Sequence, residues 1–246
     1  MKVLAISSSP HMDKGNTALI LNPFLDGMRE AGAEVELFYT KKLKIKPCQG
    51  CLSCWIKTPG RCVQTDDMQM VYPSLRADIW VFATPLYVDG MASGMKALLE
   101  RMMPGAQPFV EMRDDHCRHL YRGNYKQGNK TVLVSNCGFW EMDTFHPLLV
   151  HMEAICRNMG REFTGALLRT TGPLLKNMIQ MGKAVDDILE AAKEAGHQLV
   201  RDGRMSPETL KTVSRDLVPR ESFLQVINQL FQQRIDTAKS GNKASG

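Results

Sequence analysis

Four of the seven cysteines fall within one short stretch, "CQGCLSCWIKTPGRC", as Cys48, Cys51, Cys54 and Cys62 in a C-x2-C-x2-C-x7-C pattern. Thiols this dense form a disulfide framework, a metal site, a redox pair or a coincidence. In a reducing compartment, metal binding or catalysis is favoured over structural disulfides. A cubane iron–sulfur cluster needs four thiolates converging on one centre. Two x2 spacings let a loop wrap three irons, and the fourth ligand returns after the "TPG" turn. Zinc also takes four thiolates, though more often from two separated C-x2-C knuckles. Thiols that stay free or form a disulfide are the third reading. Lys41, Lys42, Lys44, Lys46, Lys57 and Arg61 surround the stretch. They suit an anionic centre or an acidic electron carrier, or simply a solvated strand edge.

A second set of residues suits a phosphate and a planar ring. "SSSPHMDKGNT" separates a first apolar run from a helical period and offers Ser7, Ser9, His11, Asn16 and Thr17. Small hydroxylated residues before a helix N-terminus cradle an anion with backbone N–H groups, and the helix dipole adds a favourable field. Neither G-x-G-x-x-G nor G-x-x-x-x-G-K-[ST] is present, which leaves a mononucleotide phosphate. The plainer reading is that Asn16 or Thr17 only caps the helix. "TPLYVDGMASGMK" supplies Pro85, Leu86, Tyr87, Val88 and Gly90 in a tight turn, and "SNCGFWEMD" supplies Ser135, Asn136, Gly138, Phe139 and Trp140. Aromatics and glycines at strand ends suit stacking on a flavin ring. Together the three loops describe a flavin mononucleotide (FMN) site.

The elements that must position these residues alternate along the chain. Strands are expected at Lys2–Ser7, Ala33–Tyr39, Asp78–Pro85, Lys130–Gly138 and Glu162–Thr170. Helical periods cover Asn16–Ala31, Met68–Leu75, Ser93–Met103, Phe145–Met159 and Ala184–Val200. This alternation predicts an α/β fold with a parallel sheet covered by helices on both faces. Ligands of such sheets bind at the carboxyl ends of the strands, where all three loops fall. Residues 1–202 are expected to form this domain, with a cysteine loop at 46–64 and a polar insertion at 104–129. A helical extension at 203–239 and a flexible tail at 240–246 follow. "DDHCRH", Asp114–His119, has metal-ligand residue types but reads as a polar loop of the insertion. Cys137 lies in the third loop and Cys156 in a helix core.

Composition narrows the function classes. With 43% hydrophobic and 23% charged residues the chain is ordinarily globular, and a net charge of +5 is too mild to argue for nucleic acid. No apolar run reaches ~18 residues, so no membrane span is expected. The N-terminus reads as a strand rather than a signal peptide, which places the protein in the cytoplasm. No Ser–His–Asp or paired-carboxylate arrangement stands out, as expected where a cofactor carries the chemistry.

The sequence resembles the flavodoxin-like NAD(P)H-dependent FMN reductase superfamily, and within it the iron–sulfur flavoprotein branch. The matching pieces are "SSSPHMDKGNT", "CQGCLSCWIKTPGRCVQTDDM", "ADIWVFATPLYVDGMASGMKALLERM" and "VSNCG". Ser8 stands where the family usually has Gly, and His11 where it usually has Arg, which shifts phosphate anchoring onto Ser7, Ser9, Asn16 and Thr17. The resemblance implies a doubly wound five-stranded sheet of order 2-1-3-4-5, FMN, and a 4Fe–4S cluster on Cys48, Cys51, Cys54 and Cys62. It also implies NAD(P)H or a ferredoxin-like carrier as donor, a small electron acceptor, and a homodimer or homotetramer. A cluster-free NAD(P)H-dependent FMN or quinone reductase is the alternative within this class. A zinc- or thiol-based redox sensor on a flavodoxin scaffold is the alternative outside it.

Overall fold

The three most apolar runs of the sequence become the middle of a sheet. In a computed structural model, which describes residues 1–122 and 129–243, the chain alternates strands and helices. The strands are β1 (Lys2–Ser7), β2 (Glu34–Tyr39), β3 (Ile79–Tyr87), β4 (Gly90–Met91), β5 (Ala106–Arg113), β6 (His116–Tyr121), β7 (Lys130–Asn136) and β8 (Glu162–Arg169). The helices are α1 (Asn16–Glu30), α2 (Ser53–Ile56), α3 (Met68–Val71), α4 (Ser93–Glu100), α5 (His146–Asn158), α6 (Gly172–Gln180), α7 (Asp186–Asp202), α8 (Pro207–Ser214) and α9 (Arg220–Lys243). Five strands pair in parallel in the order β2-β1-β3-β7-β8, and β4 adds antiparallel to the end of β3. This is the expected doubly wound order. β1, β3 and β7 are buried nearly throughout, whereas the edge strands β2 and β8 are partly open.

Each face of the sheet carries helices for a legible reason. Ile20, Leu21, Phe24, Leu25 and Met28 put one apolar stripe of α1 into the core. Ile188, Ala192, Ala195 and Leu199 do the same for α7. α1 and α7 pack so closely that a Cβ on Gly27 would run into the Lys193 carbonyl, and one on Gly196 into that of Phe24. On the opposite face, Met68, Met95, Leu98, Leu148 and Met152 from α3, α4 and α5 pack against Leu4, Ile6, Trp80 and Phe82.

Two elements depart from the sequence reading. The polar insertion contains an antiparallel hairpin, β5–β6, whose turn at Asp114 and Asp115 has positive φ at both residues. Residues 123–128 of that insertion lie outside the described residues. Helix α6 was not anticipated: it follows β8 directly and starts with Gly172 and Pro173, a permitted opening for a helix.

The chain divides into two units, Met1–Arg215 and Asp216–Gly246. The first includes α8, which packs against α7 and β8. The second contains α9, with Leu224, Val226, Phe231 and Ile235 exposed along it. The expected tail at 240–246 lies outside the described residues from position 244 on. No helix among the described residues is long and apolar enough to cross a membrane.

Candidate functional site

The first loop leaves β1 with three buried serines. Ser7, Ser8 and Ser9 are each no more than 5% exposed, and the Ser8 amide donates to the Ala83 carbonyl of β3 at 2.8 Å. Gly15, not Asn16 or Thr17, occupies the N-cap of α1, and no side chain caps the helix. Thr17 instead donates its hydroxyl to Asn136 Oδ1 at 2.5 Å, bridging the first and third loops. The helix therefore presents its first turn without a side-chain acceptor, beside small buried hydroxyls. That arrangement suits a phosphate. His11 is exposed.

The second and third loops are tied to one another beneath an apolar surface. Ser135 donates to the Thr84 carbonyl at 2.8 Å, and Thr84 Oγ1 accepts from the Ala92 amide at 2.9 Å. Val88 and Asp89, both with positive φ, form the two-residue turn between β3 and β4. Val88 is 99% exposed, Tyr87 49% and Phe139 63%. Leu86 and Trp140 are half-buried, and Gly90 and Gly138 complete the two turns.

A fourth strand end joins this group and was not anticipated. The amides of Cys137 and Gly172 bond the carbonyls of Arg169 and Cys137, and the Thr171 amide bonds that of Phe139, at 2.8–3.0 Å. Thr171 has φ +52° and a buried hydroxyl with no hydrogen-bond partner among the described residues. A Cβ on Gly172 would stand 2.9 Å from Asn136 Nδ2. The signal available in the sequence was "TTGP" directly after a strand, another helix start at a carboxyl end.

The cysteine loop forms a second centre. Cys48, Cys51, Cys54 and Cys62 are free thiols lining one cavity of about 50 Å³, together with Glu100, Arg101 and Met103. Thr58 closes the "TPG" turn by donating to the Arg61 carbonyl at 2.8 Å. Hydrogen bonding to Ser53 holds the Cys51 thiol below its ordinary range. Burial, and then the neighbouring Cys62 charge, push Cys54 up. Among the described residues, no three His, Cys, Asp or Glu side chains are gathered as a single metal ion requires. The donor set lining the shared space is four thiols, the ligand type of iron–sulfur clusters and of structural zinc alike.

The neck of this loop is closed by Asp66, Asp67 and Arg101, which fall in the family-matching segments "VQTDDM" and "ALLERM" but received no role from the sequence. Asp67 accepts from the Lys44 amide at 2.7 Å and Asp66 from the Lys46 amide at 3.0 Å. Arg101, only 1% exposed, forms an ion pair with Asp66 at 2.6 Å. Its signal was a charge beside Leu98, Leu99 and Met102 at the end of an apolar helix. The expected lysines and Arg61 are all exposed. The hairpin reaches the loop through Trp55 and His119, whose ring centroids are 4.6 Å apart. A separate cavity of about 720 Å³, lined by Tyr72, Asp78, Trp80, Tyr121 and Arg122, lies at the amino ends of β3 and β7.

Comparison with known proteins supplies the family. Residues 1–117 match the model of the NADPH-dependent FMN reductase family. An iron–sulfur flavoprotein of Methanosarcina thermophila is 31% identical over 141 residues, covering 57% of this chain and 72% of that protein. The chain belongs to the iron–sulfur flavoprotein family. A second relative, an iron–sulfur flavoprotein of Methanocaldococcus jannaschii, is 33% identical over 105 residues, covering 42% of this chain and 53% of that protein. The chain thus spans about half the length of several iron–sulfur flavoproteins that it matches. An FMN-dependent NADH-azoreductase of Bacillus anthracis, solved with FMN, shares the fold with a TM-score of 0.60 at 16% identity. That superposition covers 81% of this chain and 99% of the azoreductase.

Proposed function

We propose that the chain is an FMN-dependent oxidoreductase that moves electrons between a two-electron donor, FMN and a 4Fe–4S cluster. The donor is NAD(P)H or a ferredoxin-like carrier, and a small molecule is the acceptor. The observation that carries this reading is the convergence of four free thiols on one cavity in a chain of the iron–sulfur flavoprotein family. When bound, FMN exchanges electron pairs and a cubane exchanges single electrons, which joins two- and one-electron carriers.

The residues have distinct tasks in this reading. Ser7, Ser9, Asn16 and Thr17 hold the phosphate at the start of α1. Pro85, Leu86, Tyr87, Val88 and Gly90 border one side of the ring, and Ser135, Asn136, Gly138, Phe139 and Trp140 the other. The exposed Val88 and Phe139 are apolar surfaces that a planar ring would cover. Cys48, Cys51, Cys54 and Cys62 hold the cluster, and burial of their loop between subunits makes a homodimer or homotetramer the working assembly.

The test is iron and acid-labile sulfide per FMN on protein purified without oxygen. About four of each per flavin, lost in Cys51→Ala, is the expected result. FMN with neither iron nor sulfide, alongside NAD(P)H oxidation, overturns the cluster and leaves a flavin reductase. Zinc in place of iron, without NAD(P)H turnover, makes the protein a sensor.

A further inference from the structure

We infer that Arg101 is a positioning residue for the cluster, holding Cys62 in place and raising the cluster's reduction potential through an N–H···S contact. This rests on the cluster reading above. The guanidinium makes a two-pronged contact with Asp66, Nη1 to Oδ2 at 2.6 Å and Nη2 to Oδ1 at 3.1 Å. Nη1 also donates to the Lys46 carbonyl at 2.7 Å, and Nη2 to Cys62 Sγ at 3.5 Å. Lys46 precedes the first cysteine and Asp66 follows the last. One side chain of α4's end therefore ties both ends of the loop and touches its fourth sulfur.

A purely structural ion pair does not account for this arrangement. Burying a guanidinium and a carboxylate costs desolvation energy that their attraction only roughly repays. Arg101 Nε is also buried without an acceptor among the described residues, a further cost. What the geometry supplies is a donor fixed at a ligand sulfur, and hydrogen bonds to sulfur raise the potential of iron–sulfur centres. Lysine cannot reproduce the fork, because it carries one point charge without the planar pair of donors.

The experiment compares wild type, Arg101→Lys, Arg101→Met and Asp66→Asn, all purified without oxygen. Iron and FMN per chain are measured first, then the cluster's midpoint potential by redox titration with electron paramagnetic resonance. Arg101→Lys is expected to keep iron and FMN while its reduced form becomes about tenfold less favoured, a fall of about 59 mV for one electron. Arg101→Met loses most of its iron but keeps FMN. Asp66→Asn removes the carboxylate that neutralises Arg101, so its potential moves upward. An unchanged potential in iron-loaded Arg101→Lys overturns the inference, as does a fall in Asp66→Asn. Wild-type protein with FMN but no iron overturns the cluster reading itself, and the inference falls with it.

Discussion

Thr17 and Asn136 meet although they lie 119 positions apart, and their hydrogen bond fixes the first loop against the third. Thr17→Val leaves a buried amide oxygen unpaired, at a cost of about 1–3 kcal/mol. FMN affinity should fall by up to about tenfold, to the extent that about 1.4 kcal/mol is then needed to re-order the two loops on binding. Gly172→Ala acts on the same amide from the other side by crowding Asn136 Nδ2. Equilibrium dialysis of FMN against both variants checks this, and unchanged affinity would remove the Asn136 bridge from the site. The cysteines outside the loop offer a separate check. Burial pushes Cys156 up to about 11 and raises Cys137 as well. Iodoacetamide at pH 8 should therefore label the exposed Cys117 while Cys156 stays silent until the protein unfolds. Mass spectrometry of the labelled peptides reads the order.

At the scale of elements, the neck of the cysteine loop has a pH signature. Burial pushes the Asp66 carboxyl up, but the Arg101 guanidinium together with the Lys46 and Met68 amides holds the group below its ordinary range. A depressed carboxylate contributes stability that is complete above its unfolded pKa of about 3.9 and lost as pH falls through the folded value. The wild-type advantage over Asp66→Asn, read from urea midpoints, should be constant near pH 7 and shrink below about pH 4. The same elements show what the sequence could reveal. β1, β3 and β7 were legible because strands buried on both faces read as continuous apolar runs. The hairpin was not, because most of β5 is exposed and Pro108, Phe109, Val110, Glu111 and Met112 carry no polar–apolar alternation. α6 is only nine residues long and opens on Gly-Pro, so its stretch was given no element. Arg101, although part of the matching segment "ALLERM", received no role because its meaning depends on Asp66, a partner brought close only by the fold.

For the whole molecule, the site depends on chain well beyond the stretch that matches the family model. Residues 1–117 supply two of the candidate flavin loops and the cysteines, but Asn136, Thr171 and Gly172 lie past it. Helix α1, whose N-terminus is the proposed phosphate site, is held by α7 through backbone contacts at Gly27 and Gly196. Gly196→Ala puts a methyl group against the Phe24 carbonyl, and overpacking of this kind costs about 1–3 kcal/mol. For a chain of this size each kcal/mol lowers the melting temperature by about 2–4 °C. Calorimetry should show a drop of that order, together with weaker FMN binding because α1 shifts. A stable variant with wild-type affinity would show that α1 holds its place without α7.

The placement of the three tryptophans has a practical consequence. Trp55 stands next to Cys54 and donates to the Met103 carbonyl at 3.0 Å. Trp140 belongs to the third candidate flavin loop, and Trp80 is buried under Arg161, 3.8 Å from its ring. Indole emission is quenched by a nearby chromophore, so each position has its own light signal. If the proposed cluster forms, emission from Trp55 should dim as iron is added, and emission from Trp140 as flavin is added, with Trp80 the steadier internal reference. Pairs of Trp→Phe substitutions would then turn the protein into an optical gauge of its own assembly, one centre at a time.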